Sequence, residues 1–260
     1  MSDTGTNLTA FARGCKERRK ALPDLGAAWM NVLGYFDGII EPHIREAGLV
    51  IVAAMNAFAD KLPIEPLYHN RHHTIDVIYA LSNLIRRAVT RGIISKHEAN
   101  LALIAMVGHD LLHDGTMNTP IRSLERIAGT EVARLLSSFD IPEYDIERIV
   151  DLIHKTDPAY QFPMRGRLAS GDAKNPEILA LIVGDADLFA SILPDIGLKL
   201  SDDLAKEWQM AGLAIDPMPN TQQGRRNFLA AIKIVSEPSI DLGLSELIKN
   251  QLYDLSQKNN

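Results

Sequence analysis

Tyr68-His69-Asn70-Arg71-His72-His73-Thr74-Ile75-Asp76-Val77 runs directly into an apolar stripe made by Ile75, Ile78, Leu81, Leu84 and Ile85. That spacing predicts one long helix from about His72 to Thr90, amphipathic along its length. Pro63 and Pro66 break the chain just ahead of it. A second stretch, Gly108-His109-Asp110-Leu111-Leu112-His113, closes another apolar run through Leu101, Ile104 and Ala105. If both stretches are helical, His69 and His73 share one face, and so do His109 and His113.

Outward from these two motifs the period stays close to 3.6, and no alternating strand or tight hairpin turn is evident. Helices are predicted over 8–21, 24–40, 42–61, 120–138, 142–155, 176–193, 201–211, 221–236 and 241–256. Ser95-Lys96-His97-Glu98 forms a capping box for the helix that leads into His109. Asn175-Pro176-Glu177 supplies an N-cap, a proline at the first position and an early acid for a further helix. The stretch 157–174, with two prolines and two glycines, reads as an irregular loop of the kind that can serve as a lid. Asp216-Pro217-Met218-Pro219-Asn220 is a second loop. The expectation is an all-α protein with one compact multi-helix domain. Residues 1–64 form an N-terminal helical region packed on the core, and residues 65–260 carry the motifs.

The chain of 260 residues is long enough for a substantial core, with 46% apolar and 23% charged residues. Its net charge of −6 gives no electrostatic reason to expect a nucleic-acid polymer as partner. The single cysteine, Cys15, excludes an intramolecular disulfide and a multi-cysteine zinc site. The most apolar run, Leu49 to Ala59, is too short to span a bilayer, and the N-terminus does not read as a secretory signal. A cytoplasmic protein without membrane contact is expected.

Val183-Gly184-Asp185-Ala186-Asp187-Leu188 places two carboxylates inside an otherwise apolar run. A charge there must find a cation or a set of hydrogen bonds. His73, His109, Asp110 and Asp187 together offer imidazole nitrogen and carboxylate oxygen, the mixed donor set that suits Zn²⁺, Mn²⁺ or Fe better than calcium. Asp110 has two oxygens and can bridge two ions, and water held between such ions becomes a nucleophile near neutral pH. His69, just upstream of His73, is placed to protonate a leaving oxygen. The pattern points to a metal-dependent hydrolase, with His69 and Asp110 as its catalytic residues.

The His109-Asp110 pair with upstream and downstream His and Asp resembles the HD superfamily of metal-dependent phosphohydrolases. Tyr68-His69-Asn70 with His73 and Asp76-Val77, then His109-Asp110-x-x-His113 and Gly115, is most similar to the class I cyclic-nucleotide phosphodiesterase catalytic domain. Ala186-Asp187-Leu188 matches that family's later metal-aspartate motif. The resemblance implies a helical HD-domain fold over about residues 65–235 and two divalent ions, Zn²⁺ (or Fe or Mn²⁺) with Mg²⁺ or Mn²⁺. It implies a small phosphate ester as substrate, such as a 3′,5′-cyclic nucleotide, attacked by metal-activated hydroxide. It makes His69 the general acid, and His73, His109, Asp110 and Asp187 the ligands of the tighter ion. His113, Glu125, Thr156 and Asp157 are implied beside the second ion or around the site. Phe228 matches the family's phenylalanine at the base, but Arg225 stands where the family has a purine-reading glutamine. A guanidinium at that position suits a phosphate or carboxylate instead. An HD-type nucleotide phosphomonoesterase, a catalytically silent metal-dependent binding module and an iron-dependent oxygenase are the alternatives.

Overall fold

The computed structural model describes residues 4–36, 39–171 and 177–257. Among them the secondary structure is entirely helical. In chain order the helices are α1 (Thr4–Arg18), α2 (Leu25–Gly34), α3 (Pro42–Ala59), α4 (Arg71–Thr90) and α5 (Lys96–Gly108). They continue as α6 (Ser123–Leu136), α7 (Glu143–His154), α8 (Pro158–Ala169), α9 (Ile178–Ile192) and α10 (Pro194–Met210). The last three are α11 (Gln222–Ala231), α12 (Glu237–Asp241) and α13 (Leu244–Gln257). None is long and apolar enough to cross a membrane.

Three helices make the centre. In α5 every residue from Ala99 to Gly108 is buried, and in α9 every residue from Leu179 to Ile192 except Asp187. Helices apolar all round must be enclosed by others. α4 lies between α2, α5 and α9; α3 and α7 cover the outside of α5, and α10 covers α9. The motifs therefore sit on, or directly at the ends of, the three innermost helices, where packing fixes their positions.

Local signals explain the helix starts. Ser95 and Glu98 close the capping box on α5 as expected. Asn70 caps α4 by accepting from the His73 N–H at 3.1 Å, while its amide donates to the Pro66 and Leu67 carbonyls. The expected helix start at Asn175-Pro176 lies outside the described residues. The α10 helix begins at Pro194, seven residues before the expected start at 201. The helix predicted over 221–236 ends at Ala231, the one predicted over 241–256 is α13, and the short α12 between them was not predicted.

The clearest departure is 157–174. Residues 158–169 form α8, with Pro163 inside it. Asp157 caps the helix through Ala159 N–H, and Pro158 occupies the first position. Its inner face is held by Gln161, which donates to Lys155 O and Ala180 O, and by fully buried Arg165. Arg165 pairs with Asp185 at 2.5 Å and donates to Leu181 O and Lys233 O. This buried network outweighs the local cost of the proline, and Asp185 finds there the cation that its apolar surroundings demand.

Candidate active site

Asn70 ends the extended entry to α4 and puts His73 in the first turn, with the ring buried and facing α5 and α9. His109 stands at the C-terminal end of α5. Its Nδ1–H donates to Met106 O at 2.9 Å, which turns Nε2 inward as a lone-pair donor. Asp187 projects from α9. The His73 Nε2, His109 Nε2, Asp187 Oδ1 and Asp110 Oδ2 atoms converge: the five separations recorded among them are 3.0, 3.3, 3.3, 3.4 and 3.4 Å. Asp110 Oδ2 is buried and makes no hydrogen bond despite these neighbours. Such spacing fits the edges of a coordination shell around one ion with ligands at about 2.0–2.2 Å. His73, His109 and Asp187 form a group that could hold a metal ion.

The expectation that each motif lies on a single helix face is not met. His69 precedes α4 and is separated from it by the Asn70 cap, and α5 ends before Asp110. Leu112 adopts φ 69°, a left-handed conformation costly for leucine. That turn brings the His113 ring back over His69, stacked at 3.9 Å with 17° between planes. Gly115 donates its N–H to His113 Nδ1 at 3.1 Å, and its φ of 83° disfavours any residue with a side chain at this position, which packs closely on Glu207 and Pro66.

Glu207 on α10 is the site residue that the sequence did not single out. Its Oε2 accepts from the Tyr68 and His69 N–H groups at 2.7 and 3.1 Å. Its Oε1 lies 2.5 Å from His69 Nδ1. One buried carboxylate thus fixes the backbone and ring of His69 and leaves Nε2 as the ring nitrogen not used by Glu207. The available signal was a charge on the apolar stripe Leu200, Leu204, Glu207, which becomes visible only when the helix starts before Leu200.

Burial works against a charge on His69, but Glu207, Asp110 and Asp187 outweigh it and raise its pKa. His113 is the opposite case: burial, then the charge of His69, push it down to about 4. A neutral His113 whose Nδ1 accepts from Gly115 must carry its proton on Nε2. Burial also opposes charge on His109, yet Asp110 and Asp187 lift it to about 9. Asp110 and Asp187 are lowered despite burial, because the clustered imidazoles favour their anions.

Glu125 and Asp157 are also brought towards Asp110. Glu125 Oε1 accepts from Asn118 at 3.0 Å, while Glu125 Oε2 and Asp157 Oδ2 are buried without partners. Burial raises the Glu125 pKa, and the neighbouring charges of Asp157 and Asp110 add to it. Thr156 is buried, its hydroxyl donating to Ile153 O. Phe228 is half-buried and lines a pocket beside Tyr68. Arg225 does not reach this space as an anion contact. It is buried against the end of α9, donating to Ser191 O at 2.6 Å and to Gln251 Oε1 at 2.9 Å. The expectation of a guanidinium offered to a substrate phosphate is corrected by this geometry: helix-end carbonyls, not solvent, face the side chain.

Residues 68–123 match the family model of the 3′5′-cyclic nucleotide phosphodiesterases. This is the segment that supplies His69, His73, His109, Asp110 and His113, and it resembles a metal-dependent phosphoric diester hydrolase. No curated protein matches the chain. Asp187 and Glu207 lie outside the matched segment and are joined to it by the contacts of α9 and α10.

Proposed function

We propose that this chain is a metal-dependent phosphodiesterase that hydrolyses a 3′,5′-cyclic nucleotide or a related small phosphodiester. The observation that carries the reading is the convergence of four donor atoms, an unpaired Asp110 oxygen among them, beside a carboxylate-held His69. His73, His109, Asp110 and Asp187 would hold one divalent ion, Zn²⁺, Fe or Mn²⁺. Asp110, Glu125 and Asp157, each with a buried unpaired oxygen, would hold a second, Mg²⁺ or Mn²⁺. Bound there, the ions would supply positive charge to the phosphoryl oxygens and acidity to the attacking water.

The protein's own groups complete the reaction. His69, kept protonated by Glu207, delivers a proton from Nε2 to the leaving oxygen as its bond to phosphorus breaks. Glu207 supplies the orientation, because its three contacts leave the ring little freedom. His113 stays neutral and stacks on His69, restricting the acid without competing for its proton.

Elemental analysis and a substrate panel test this together. The wild-type protein should retain divalent metal after desalting and cleave phosphodiesters faster than nucleoside monophosphates. Asp110→Ala should lose metal from both positions. Unchanged metal content in that variant, or a preference for monoesters, would overturn the assignment.

A further inference from the structure

The α3 helix is apolar on the side it shows to solvent as well as on the side it buries. From Ala47 to Ala59 it carries no charged residue. Ala47, Ile51, Val52 and Met55 are buried, where α3 packs against α2, α5 and α6. On the other side Leu49 and Val50 are 38% and 37% exposed, and Ala53 and Ala57 are exposed with them. At 3.6 residues per turn these four residues, with half-buried Asn56, form one stripe centred on Ala53. A helix apolar all round is ordinarily enclosed, yet this side is open to solvent. Charges stand only at the two ends of the stripe: Arg45 and Glu46 at one, Asp60 and Lys61 at the other, roughly 20 Å away. Among the described residues Arg45, Glu46 and Lys61 make no ion pair, and Asp60, which takes Arg71, stays 68% exposed. The helical period puts Arg45 and Asp60 on one flank of the stripe and Glu46 and Lys61 on the other.

We infer that two copies of this chain dimerise through this face, with α3 packed antiparallel on α3 about a two-fold axis at Ala53. Such an axis reverses the helix direction and sets each flank against the same flank of the other copy, as a self-complementary interface requires. Arg45 then meets Asp60 of the partner subunit, and Glu46 meets the partner's Lys61, so opposite charges pair at both ends. Between them Val50 lies over the partner's Ala57, and the two Ala53 side chains let the helices approach closely. Parallel pairing would set Arg45 against Arg45 and Lys61 against Lys61, which is repulsive. A lipid surface fits less well, because both ends carry mixed charge and the chain's net charge is −6, without the basic flank of a membrane-surface helix. One helix face of this length covers less than the about 800 Å² per partner of a standard interface, so the dimer forms and dissociates with concentration.

Sedimentation velocity on the full chain from about 1 to 200 μM tests this, and wild type should pass from monomer to dimer within that range. Ala53→Arg sets two guanidinium groups against each other at the axis and should leave a monomer throughout, with Tm unchanged because the position is exposed. Val50→Lys should do the same, so that a folding defect in one variant does not decide the outcome. Glu46→Lys should weaken the dimer about tenfold, since the axis repeats the mismatch at both ends. Adding Lys61→Glu to it should restore wild-type affinity, because the reversed charges meet again across the axis. A wild type that stays monomeric at the highest concentration overturns the inference, as does a dimer that both folded stripe variants leave intact. A Glu46→Lys defect that Lys61→Glu does not repair overturns the antiparallel register. A monomer that pellets with phosphatidylcholine–phosphatidylglycerol vesicles would assign the face to lipid instead.

Discussion

His69 and His73 are the same side chain four positions apart, and their surroundings separate them. His73 is buried with Nε2 3.0 Å from Asp187, whereas His69 is partly exposed with Nδ1 committed to Glu207. A ligand and an acid respond differently to loss of the imidazole. His69→Ala should lower kcat about 10²–10⁴-fold on an alkyl phosphodiester while metal content and Tm stay near wild type. An ester with a p-nitrophenolate leaving group needs little protonation and should lose much less. Equal losses on both esters would remove the acid role, and metal depletion would make His69 a ligand. The pH profile adds a sign. Glu207 raises the His69 pKa, and an acid acts only while protonated, so activity on the alkyl ester falls as pH climbs through that pKa. Glu207→Gln should therefore move the alkaline limb to lower pH for the alkyl ester and leave the p-nitrophenyl ester's limb in place. An unmoved limb for the alkyl ester would show that Glu207 does not set the protonation of the acid.

At the scale of elements, the ends of helices carry the site, and their caps decide its geometry. Asn70 starts α4 one turn before His73 exposes its nitrogen to the cluster. Arg225 finishes α9: its guanidinium meets Ser191 O, favourably placed at the negative end of the helix dipole, and Gln251 donates to the next carbonyl, Ile192 O, at 2.7 Å. Arg225→Ala should expose those carbonyls to an apolar cavity and cost about 1–3 kcal/mol, read as a lower urea midpoint with an unchanged m-value. Stability within a few tenths of wild type would mean that water replaces the cap. Arg225 also marks what sequence reasoning could reach. Its residue type announced an anion partner, but the partner is a set of backbone carbonyls 33 and 34 positions away. The α8 helix was hidden for a related reason. Pro163 and the glycines are local signals, whereas Arg165–Asp185 and Gln161–Ala180 O are contacts between distant segments.

Across the whole molecule, the legible part of the site is the part whose chemistry conflicts with its local surroundings. His73, His109, Asp110 and Asp187 stood out because polar groups interrupt apolar helices, and packing those helices together leaves the groups facing one another. Glu207 did not stand out, because its partners lie 138 and 139 residues earlier and its stripe begins outside the predicted helix. Asp76 poses the same problem at the other end of the chain. It lies on α4 one turn after His73, buried to 1% exposure, and its two oxygens receive Arg18 Nη2 and Arg19 Nε, each at 2.9 Å. Phe11 of α1 packs on Phe189 of α9 at 4.6 Å, so the N-terminal helix touches both buried helices that carry His73 and Asp187. The exposed Lys16–Asp195 pair adds little to that attachment. Asp76→Asn keeps the shape but turns an amide towards two guanidinium groups. It should cost about 2 kcal/mol, less than the 3–5 of a fully enclosed pair because Arg18 retains contact with water. The loss should be local first. Hydrogen exchange in residues 8–18 should accelerate well before that of α5, while the metal content of the purified protein stays that of wild type. Uniform acceleration throughout the protein would mean that α1 unfolds only with the core, and that the arginine clamp does not set its attachment separately.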